Sequence, residues 1–488
     1  MTYRYYHRIS TTEVQIMASG KRLSFTKIFL IFIIIQPILD ILTFVSKIHF
    51  EMNITIGIVV RVIFMLASLL YIFFSNEKTI KYKVILYIII LFSFLGIAFL
   101  INFLTKPNFY FFAEVQYLVK TLYFPVMFCT LFLLVESNKQ DKKFYDLLYS
   151  AVLLAMIILS LSMFTAVLTN TSNSTYTYTK SGFTGWFYAG NEISAIVAIA
   201  FPIVFIYSLK RTNDWKDSIH WVPTLLLAIT ALMIGTKVSF FSVLGTIIVA
   251  LLVNILNIFI NIKKKLNYRI FVLNSLILVL YLLITPITPS YENVMADYVN
   301  LNKAVVENHT DPKREILEKN KESVDRVDRE ENKIEEKNPL MQSKIAKVIL
   351  SSRNIYFEKV SSDYKNANII HKIFGLGYAG FYDSEPKLVE MDFFDLFFSY
   401  GILGFSILML PLVIVFWQLL KTIGKRFTHF IHTENILLCI SLGLGLGVAF
   451  LAGHVLFAPA VSIYLSITLI LLYGFNKDVL MRSTENNN

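Results

Sequence analysis

Long apolar runs alternate with short polar segments along most of this sequence. The apolar runs are about 20 residues long, and a helix of that length crosses a hydrocarbon layer about 30 Å thick. We therefore predict an all-α polytopic membrane protein with about twelve transmembrane helices. The predicted spans are 25–45, 54–74, 84–103, 121–136, 148–169, 190–208, 221–236, 238–260, 270–288, 393–419, 434–454 and 457–475.

Lysine and arginine residues are concentrated in alternate loops. They precede the first span and follow the second, fourth, sixth, eighth and tenth, whereas intervening loops such as 170–188 contain few. The positive-inside rule then predicts a multi-pass protein of the cell membrane with both termini cytoplasmic. The same rule accounts for the formal net charge of +11, so the expected partner is the lipid bilayer and not a nucleic acid.

One long polar segment, residues 289–390, interrupts the pattern and falls on the extracytoplasmic side. Its charges are nearly balanced over 311–337, which predicts an exposed helix or a partly disordered insert. The aromatic, amphipathic segment 105–120 is predicted to lie in the membrane interface on the same side. The predicted organisation is a membrane domain at 1–288, an extracytoplasmic loop at 289–392 with a charged insert at 306–338, and a second membrane part at 393–488.

Three glycines, Gly375, Gly377 and Gly380, fit the G-x-G-x-x-G pattern of dinucleotide-binding turns. That fingerprint requires a preceding strand, a following helix and a crossover unit. This stretch lies instead in the polar segment, next to a membrane entry. We interpret it as a tight turn that brings the segment close to the membrane surface, and we expect no cofactor.

Two ionisable residues are expected to meet inside the membrane. Asp40 in the first span and Arg61 in the second lie at depths that agree within about one helical turn. Because an isolated charge is costly there, they are predicted to form an ion pair. A structural role is one interpretation of the pair, and a role in substrate binding is the other.

Three basic residues near the outer face are candidates for binding a diphosphate. Arg353 precedes an aromatic, helix-like run, Lys237 lies between spans seven and eight, and Lys120 lies at the start of span four. Converging positive charges suit a diphosphate. The alternative for the two lysines is that their long side chains only extend to the interface.

Acidic residues mark the outer entry of span ten. Glu390 and Asp392 stand there, with Asp395 one turn further along. A partly desolvated carboxylate at this place is a candidate general base that takes a proton from a sugar hydroxyl. The alternative is that these carboxylates only stabilise the helix start. We expect Glu390, Arg353 and Lys237 to meet in one cleft open to the outside.

Further polar residues lie near the same face. His454, between the last two spans, is a second candidate base or a structural histidine. Asn191 and Glu192 open span six, where they either hydrogen-bond a sugar or cap the helix.

In their order along the chain, these motifs resemble the O-antigen ligase/polymerase superfamily of bacterial membrane glycosyltransferases. The resemblance covers roughly 185–410 by motif and the rest by topology. The motifs are Gly190-Asn191, Thr236-Lys237-Val238-Ser239, Arg353, Phe374-Gly375-Leu376-Gly377, Glu390-Met391-Asp392 and Tyr400-Gly401-Ile402-Leu403-Gly404.

The chain departs from the family pattern at two positions. The family usually has a His-Asn pair shortly before the Gly-x-x-Gly that opens the next span, and Glu390 occupies the histidine position here. Lys237 stands where the family usually has arginine, which keeps the charge but loses the bidentate fork.

The resemblance implies transfer of a glycan from a polyprenyl-diphosphate-linked oligosaccharide to a glycan acceptor at the outer face, as in capsule or other surface polysaccharide synthesis. Arg353 and Lys237 would neutralise the leaving diphosphate without a metal, and Glu390 or Asp392 would activate the acceptor. A lipid-linked acceptor would make the enzyme a polymerase, and a wall or lipid anchor would make it a ligase. Other membrane proteins of polysaccharide assembly are further candidate partners.

Two other classes of protein remain open. A flippase for lipid-linked oligosaccharides also has about twelve spans and buried charges, although its site is expected near the midplane between repeats. A non-catalytic scaffold of an export complex explains the topology but gives no reason for Arg353 and Glu390.

Overall fold

The computed structural model describes residues 24–75, 78–138, 143–176, 180–260, 268–310, 353–382 and 386–485. Its helices are α1 Phe25–Ile34, α2 Gln36–Ile48, α3 Ile56–Phe74, α4 Lys78–Thr105, α5 Phe111–Ser137, α6 Lys143–Leu168, α7 Gly190–Arg211, α8 Val222–Ile234, α9 Lys237–Ile260, α10 Tyr268–Ile284, α11 Pro289–Thr310, α12 Arg353–Asn366, α13 Ile369–Phe374, α14 Asp392–Phe430, α15 Thr433–Leu451 and α16 Pro459–Glu485. Short 3₁₀ helices cover Trp215–Trp221 and Thr285–Ile287, and strands β1 Asn173–Ser174 and β2 Phe183–Gly185 pair antiparallel.

The predicted all-α polytopic membrane architecture is confirmed. Within the described ranges, eleven helices are long and apolar enough to cross a membrane, or twelve when the bent pair α1–α2 is counted as one span. Each of them overlaps a span predicted from the hydrophobic pattern, because about 20 apolar residues form a helix of the required length.

Helix α7 lies at the centre of the bundle. All its side chains from Ile193 to Ile206 are buried, and it packs against α6, α8, α9, α15 and α16. Outer helices keep one apolar face exposed, as α3 does with Ile63, Leu66 and Leu70. Such exposed apolar faces suit contact with lipid.

The first span is broken. Helices α1 and α2 meet at an angle of 55° near Ile35, and Pro37 stands in the first turn of α2. Proline at that position has no backbone N–H to leave unpaired, so it favours a new helix start. The break turns Gln36 and Asp40 toward Arg61 of α3.

Segment 105–120 is not a separate interfacial element, because α5 runs without interruption from Phe111 through the fourth span. The physical reason is that Glu114 and Tyr117 are buried inside the protein, Glu114 beside Lys106 and Tyr378 and Tyr117 beside Ser399. Between the ninth and tenth spans the structure describes α11, α12 and α13, whereas 311–352, with most of the charged insert, lies outside the described residues. The domain division therefore stays a prediction.

The glycine-rich stretch forms the tight turn that its composition predicts. Gly375, Gly377 and Gly380 all have positive φ, at 86°, 72° and 66°. Helix α14 is interrupted by Gly401, whose φ is 66° and ψ −173°. This break releases the carbonyls of Phe398 and Ser399 from the helix, and they accept hydrogen bonds from the N–H groups of Leu376 and Gly377 at 2.8 and 3.1 Å.

We predict that Gly375→Ala destabilises the protein by more than about 2 kcal/mol, because the residue needs a left-handed backbone and its Cβ would collide with the Ser399 carbonyl. Gly443→Ala in α15 is the matched control. Its Cβ would meet nothing within 4 Å, and alanine favours a helix by about 1 kcal/mol. Thermal unfolding in detergent checks both variants. Equal losses would show that the turn does not depend on Gly375.

Candidate functional site

The predicted site residues lie at one end of the bundle, where α7, α9 and α14 begin and α2, α4, α8 and α15 end. Side-chain contacts join these helix ends. Ser194 of α7 hydrogen-bonds Thr236, just before α9, at 2.7 Å, and Asp392 of α14 binds the loop after α15. At the other end of the bundle, Lys210 pairs with Glu434 at 3.0 Å.

Arg353 and Glu390 are brought together. Arg353 begins α12, and its Nη2 lies 3.4 Å from the Oε2 of Glu390. The arginine side chain is 13% exposed and the glutamate side chain 39% exposed. The Arg353 Nε is buried and has no hydrogen-bond partner in the described part of the chain. The pair thus combines a solvent-facing carboxylate with a guanidinium that has an unused donor.

Asp392 is buried and holds a distant loop. Its Oδ1 accepts the N–H of His454 at 2.9 Å, and its Oδ2 accepts those of Val455 and Leu456 at 2.8 and 2.6 Å. Neighbouring Asp395 accepts the N–H groups of Val389 and Met391 at 2.9 and 3.1 Å. Asp395 therefore holds the residues just before α14 and Asp392 holds a distant loop, and Asp392 does not share the exposure of Glu390.

The loop that Asp392 holds passes close to Glu390. Gly453 and His454 have φ of 66° and 61°, and Glu390 itself has φ of 62°. A Cβ on Gly453 would lie only 2.7 Å from the Glu390 carbonyl oxygen, so glycine permits the close approach of the two loops. His454 and Glu390 therefore stand on adjoining loops.

A second group of charges lies between α2, α3, α5 and α7. The Asp40 carboxylate and the Arg61 guanidinium form the predicted ion pair at 2.6 Å, and Arg61 also donates to Gln36 at 3.0 Å. Glu192, at the start of α7, interacts electrostatically with Asp40, His454, Arg61 and Lys120. The group thus extends from the buried pair to the loop beside Glu390.

Lys120 has a cationic neighbour that the sequence analysis missed. Lys47, near the end of α2, interacts with Lys120 and lies 3.9 Å from the centre of the Tyr188 ring. Asn191, next to Glu192 at the start of α7, is exposed. Two lysines with Glu192 as the neighbouring acid leave an excess of positive charge here.

Lys237 has other partners. Its Nζ lies 2.9 Å from the Oδ2 of Asp297 in α11, and Lys180 lies 2.8 Å from the same oxygen. Among the described residues Lys237 pairs with neither Arg353 nor Glu390. Burial opposes ionisation of Asp297, but the two lysines outweigh it, so the pKa of Asp297 is lowered from its usual value.

The glycine turn is held by an ion pair that was also missed. Lys106 and Glu114 lie 2.7 Å apart; Lys106 donates to the Tyr378 carbonyl at 2.6 Å, and Glu114 accepts the Tyr378 N–H at 2.9 Å. A Cβ on Gly377 would lie 3.0 Å from the Glu114 carboxylate. Burial lowers the pKa of Lys106, although Glu114 acts in the opposite direction.

The missed residues had few signals in the sequence. Lys106 and Glu114 lie near the start of an apolar run. They are outside the two spans in which the buried pair Asp40–Arg61 was expected. Asp297 lies in the long polar segment 289–390, in which no partner for Lys237 was predicted. Hydrophobic periodicity does not indicate which lysine such an aspartate contacts.

The arrangement has two chemical capacities. Guanidinium and ammonium groups at one end of the bundle can bind an anion. A carboxylate that is exposed beside them can accept a proton from a bound hydroxyl.

Comparison with known families agrees with the motifs. Residues 23–474 match the family described as O-antigen ligase like membrane protein, which confirms the resemblance inferred from the sequence. No curated protein matches the chain.

We predict that Asp392→Asn destabilises the protein by about 2–4 kcal/mol, because the amide has one acceptor oxygen where three buried N–H groups need acceptors. Glu390→Gln loses only a partly exposed ion pair and should cost less than about 1 kcal/mol. Thermal unfolding of the two variants checks the difference. Similar losses in both would contradict the loop-holding role of Asp392.

Proposed function

The chain belongs to the O-antigen ligase like membrane protein family, and from this premise we propose that it transfers a glycan from a polyprenyl-diphosphate carrier to an acceptor hydroxyl. The family supports a polysaccharide ligase or polymerase. The lipid carrier, the extracytoplasmic side and a role in capsule or similar surface polysaccharide are our proposal. The observation that carries it is the Arg353–Glu390 ion pair. Its carboxylate is exposed to solvent, and the Nε of its guanidinium has no hydrogen-bond partner among the described residues.

Binding of the donor is assigned to the basic residues. The Arg353 guanidinium, which faces Glu390, is assigned to the diphosphate, and Lys237 and Lys120 supply further positive charge at the same end of the bundle. Such preorganised donors stabilise the charge that develops on a leaving diphosphate. The polyprenyl tail lies in the surrounding lipid, along the exposed apolar faces of the helices.

Glu390 is assigned as the general base. It takes the proton of the acceptor hydroxyl while that oxygen attacks the anomeric carbon of the donor sugar. The bond from this carbon to the diphosphate oxygen breaks, and its electron pair leaves with the polyprenyl diphosphate. When Arg353 turns to the diphosphate, its ion pair with Glu390 opens and leaves the carboxylate free to bind the acceptor hydroxyl.

The remaining polar residues have supporting roles in this proposal. Asp392 positions the loop that carries His454. His454, Asn191 and Glu192 are assigned to hydrogen bonds with sugar hydroxyls. The acceptor is either a second lipid-linked repeat unit, in a polymerase, or an anchor molecule, in a ligase.

The test is a transfer assay with purified protein in lipid nanodiscs and a polyprenyl-diphosphate-linked repeat unit. We expect longer lipid-linked chains from the wild type and a loss of about 10²–10³-fold in rate for Arg353→Ala and for Glu390→Gln, because each removes one group that acts in the transition state. Electrophoresis of the labelled products measures the rate.

The ion pair Lys210–Glu434 at the other end of the bundle supplies matched controls, Lys210→Ala and Glu434→Gln, which should keep the wild-type rate. Full activity in Arg353→Ala or Glu390→Gln would refute the assigned roles. Movement of the lipid-linked unit across the membrane without any transfer would favour the transporter alternative.

A further inference from the structure

Two lysines converge on one carboxylate oxygen near the start of α9. Lys237 lies 2.9 Å and Lys180 2.8 Å from the Oδ2 of Asp297. The two lysine side chains are 42% and 28% exposed, whereas Asp297 is 14% exposed. A phosphate oxygen can occupy the same kind of position between two ammonium groups.

Close backbone packing sets the distance between the two lysines. Gly182 lies against the carbonyl of Ile234, and Gly235 lies against the carbonyl of Ser181, so that a Cβ on either glycine would collide. The segment that carries Lys180 is thereby fixed beside the turn that carries Lys237. The lysine pair is a built feature of the fold and not a chance meeting of surface side chains.

Asp297 is not needed to attach α11 at this place. Ser290 donates to the Leu232 carbonyl at 2.9 Å. Asn293 donates to the carbonyls of Ser181 and Gly235 at 2.6 and 2.8 Å. Glu292, the other nearby carboxylate, accepts the Ser181 hydroxyl at 2.7 Å and pairs with neither lysine. These contacts anchor the first turns of α11, which leaves the two ion pairs of Asp297 without a structural necessity.

The surroundings favour an anion at the Asp297 oxygen. Lys237 is the first residue of α9, a helix of 24 residues, and a helix N-terminus attracts negative charge. Glu292 hydrogen-bonds Ser181, so the two lysines share the single carboxylate of Asp297 as their ion-pair partner. The lowered pKa of Asp297 agrees with a carboxylate that is held ionised by both lysines.

We propose that Lys180 is a second phosphate-binding cation beside Lys237, and that Asp297 occupies the phosphate position until the diphosphate of the lipid carrier displaces it. The inference rests on the proposed function for the identity of that ligand. It adds Lys180 to the binding residues and makes Asp297 an internal competitor of the substrate.

The test is calorimetric titration of inorganic pyrophosphate into the full-length protein in nanodiscs. Removing the competitor in Asp297→Asn should tighten binding by about tenfold, and Lys180→Gln should weaken it by about tenfold, since one charge-assisted contact at a partly exposed site has about that effect. Lys180→Arg should bind close to the wild type. Lys210→Gln, which removes a lysine paired with Glu434 at the far end, is the matched control and should not change binding.

Opposite changes in pyrophosphate affinity for Asp297→Asn and Lys180→Gln distinguish the proposal from a purely structural role. If Lys180 and Asp297 only anchored α11, Asp297→Asn would weaken binding as Lys180→Gln does, and that result would overturn the inference. An Asp297→Asn variant that binds no pyrophosphate would overturn it as well, because both lysines would then lack a carboxylate. Thermal unfolding of each variant, together with binding by Lys180→Arg, identifies any loss that comes from misfolding.

The transfer assay keeps this inference apart from the proposed function. Opposite effects on pyrophosphate binding in a protein without transfer activity would support the phosphate site and remove the glycosyl-transfer proposal. Arg353-dependent transfer without tighter binding in Asp297→Asn would remove only the role given to Asp297.

Discussion

The carboxylate of Asp392 accepts three backbone N–H groups from residues 454–456, and the rest of the polar end of the bundle depends on this contact. A buried carboxylate is stable only when its charge is compensated, and here backbone dipoles supply the compensation. Asp395 does the same for the residues just before α14. Glu390 lies between Val389 and Met391, whose N–H groups are bound by Asp395, and just before Asp392. Its backbone is therefore held in a left-handed conformation while its side chain remains partly exposed.

The same physical problem recurs wherever an irregular segment enters the bundle. Backbone groups in such a segment have little access to water and must find partners within the protein. Lys106 and Glu114 supply both partners for Tyr378 in the glycine turn. Asn293 supplies them for Ser181. Glu114 belongs to α5 and Asn293 to α11, so each of these two loops is tied to a helix from elsewhere in the chain.

The hydrophobic pattern was enough to predict every span, because a membrane helix is determined by a local run of apolar residues. The pair Asp40–Arg61 was predictable for a related reason, since Asp40 lies beyond the break, in α2, and depth can be counted along α2 and α3 from their outer ends. The partners of Lys237 and Asp392 were not predictable. Asp297 lies in the long polar segment, where nothing in the sequence indicated a contact with Lys237. The N–H groups that Asp392 binds belong to the backbone, so the side chains of residues 454–456 do not reveal them.

The pairing of cations before substrate arrives has a consequence for selectivity under the proposed function. Arg353 is paired with Glu390 and Lys237 with Asp297, so an anion competes with a carboxylate for either cation. Most membrane phospholipids present a phosphodiester with a single negative charge, no more than the carboxylate already supplies. A diphosphate carries more charge and more acceptor oxygens, and it can contact several of these cations at once. Pre-paired cations therefore discriminate against the abundant lipid headgroups around the site, because specificity is the difference between two affinities.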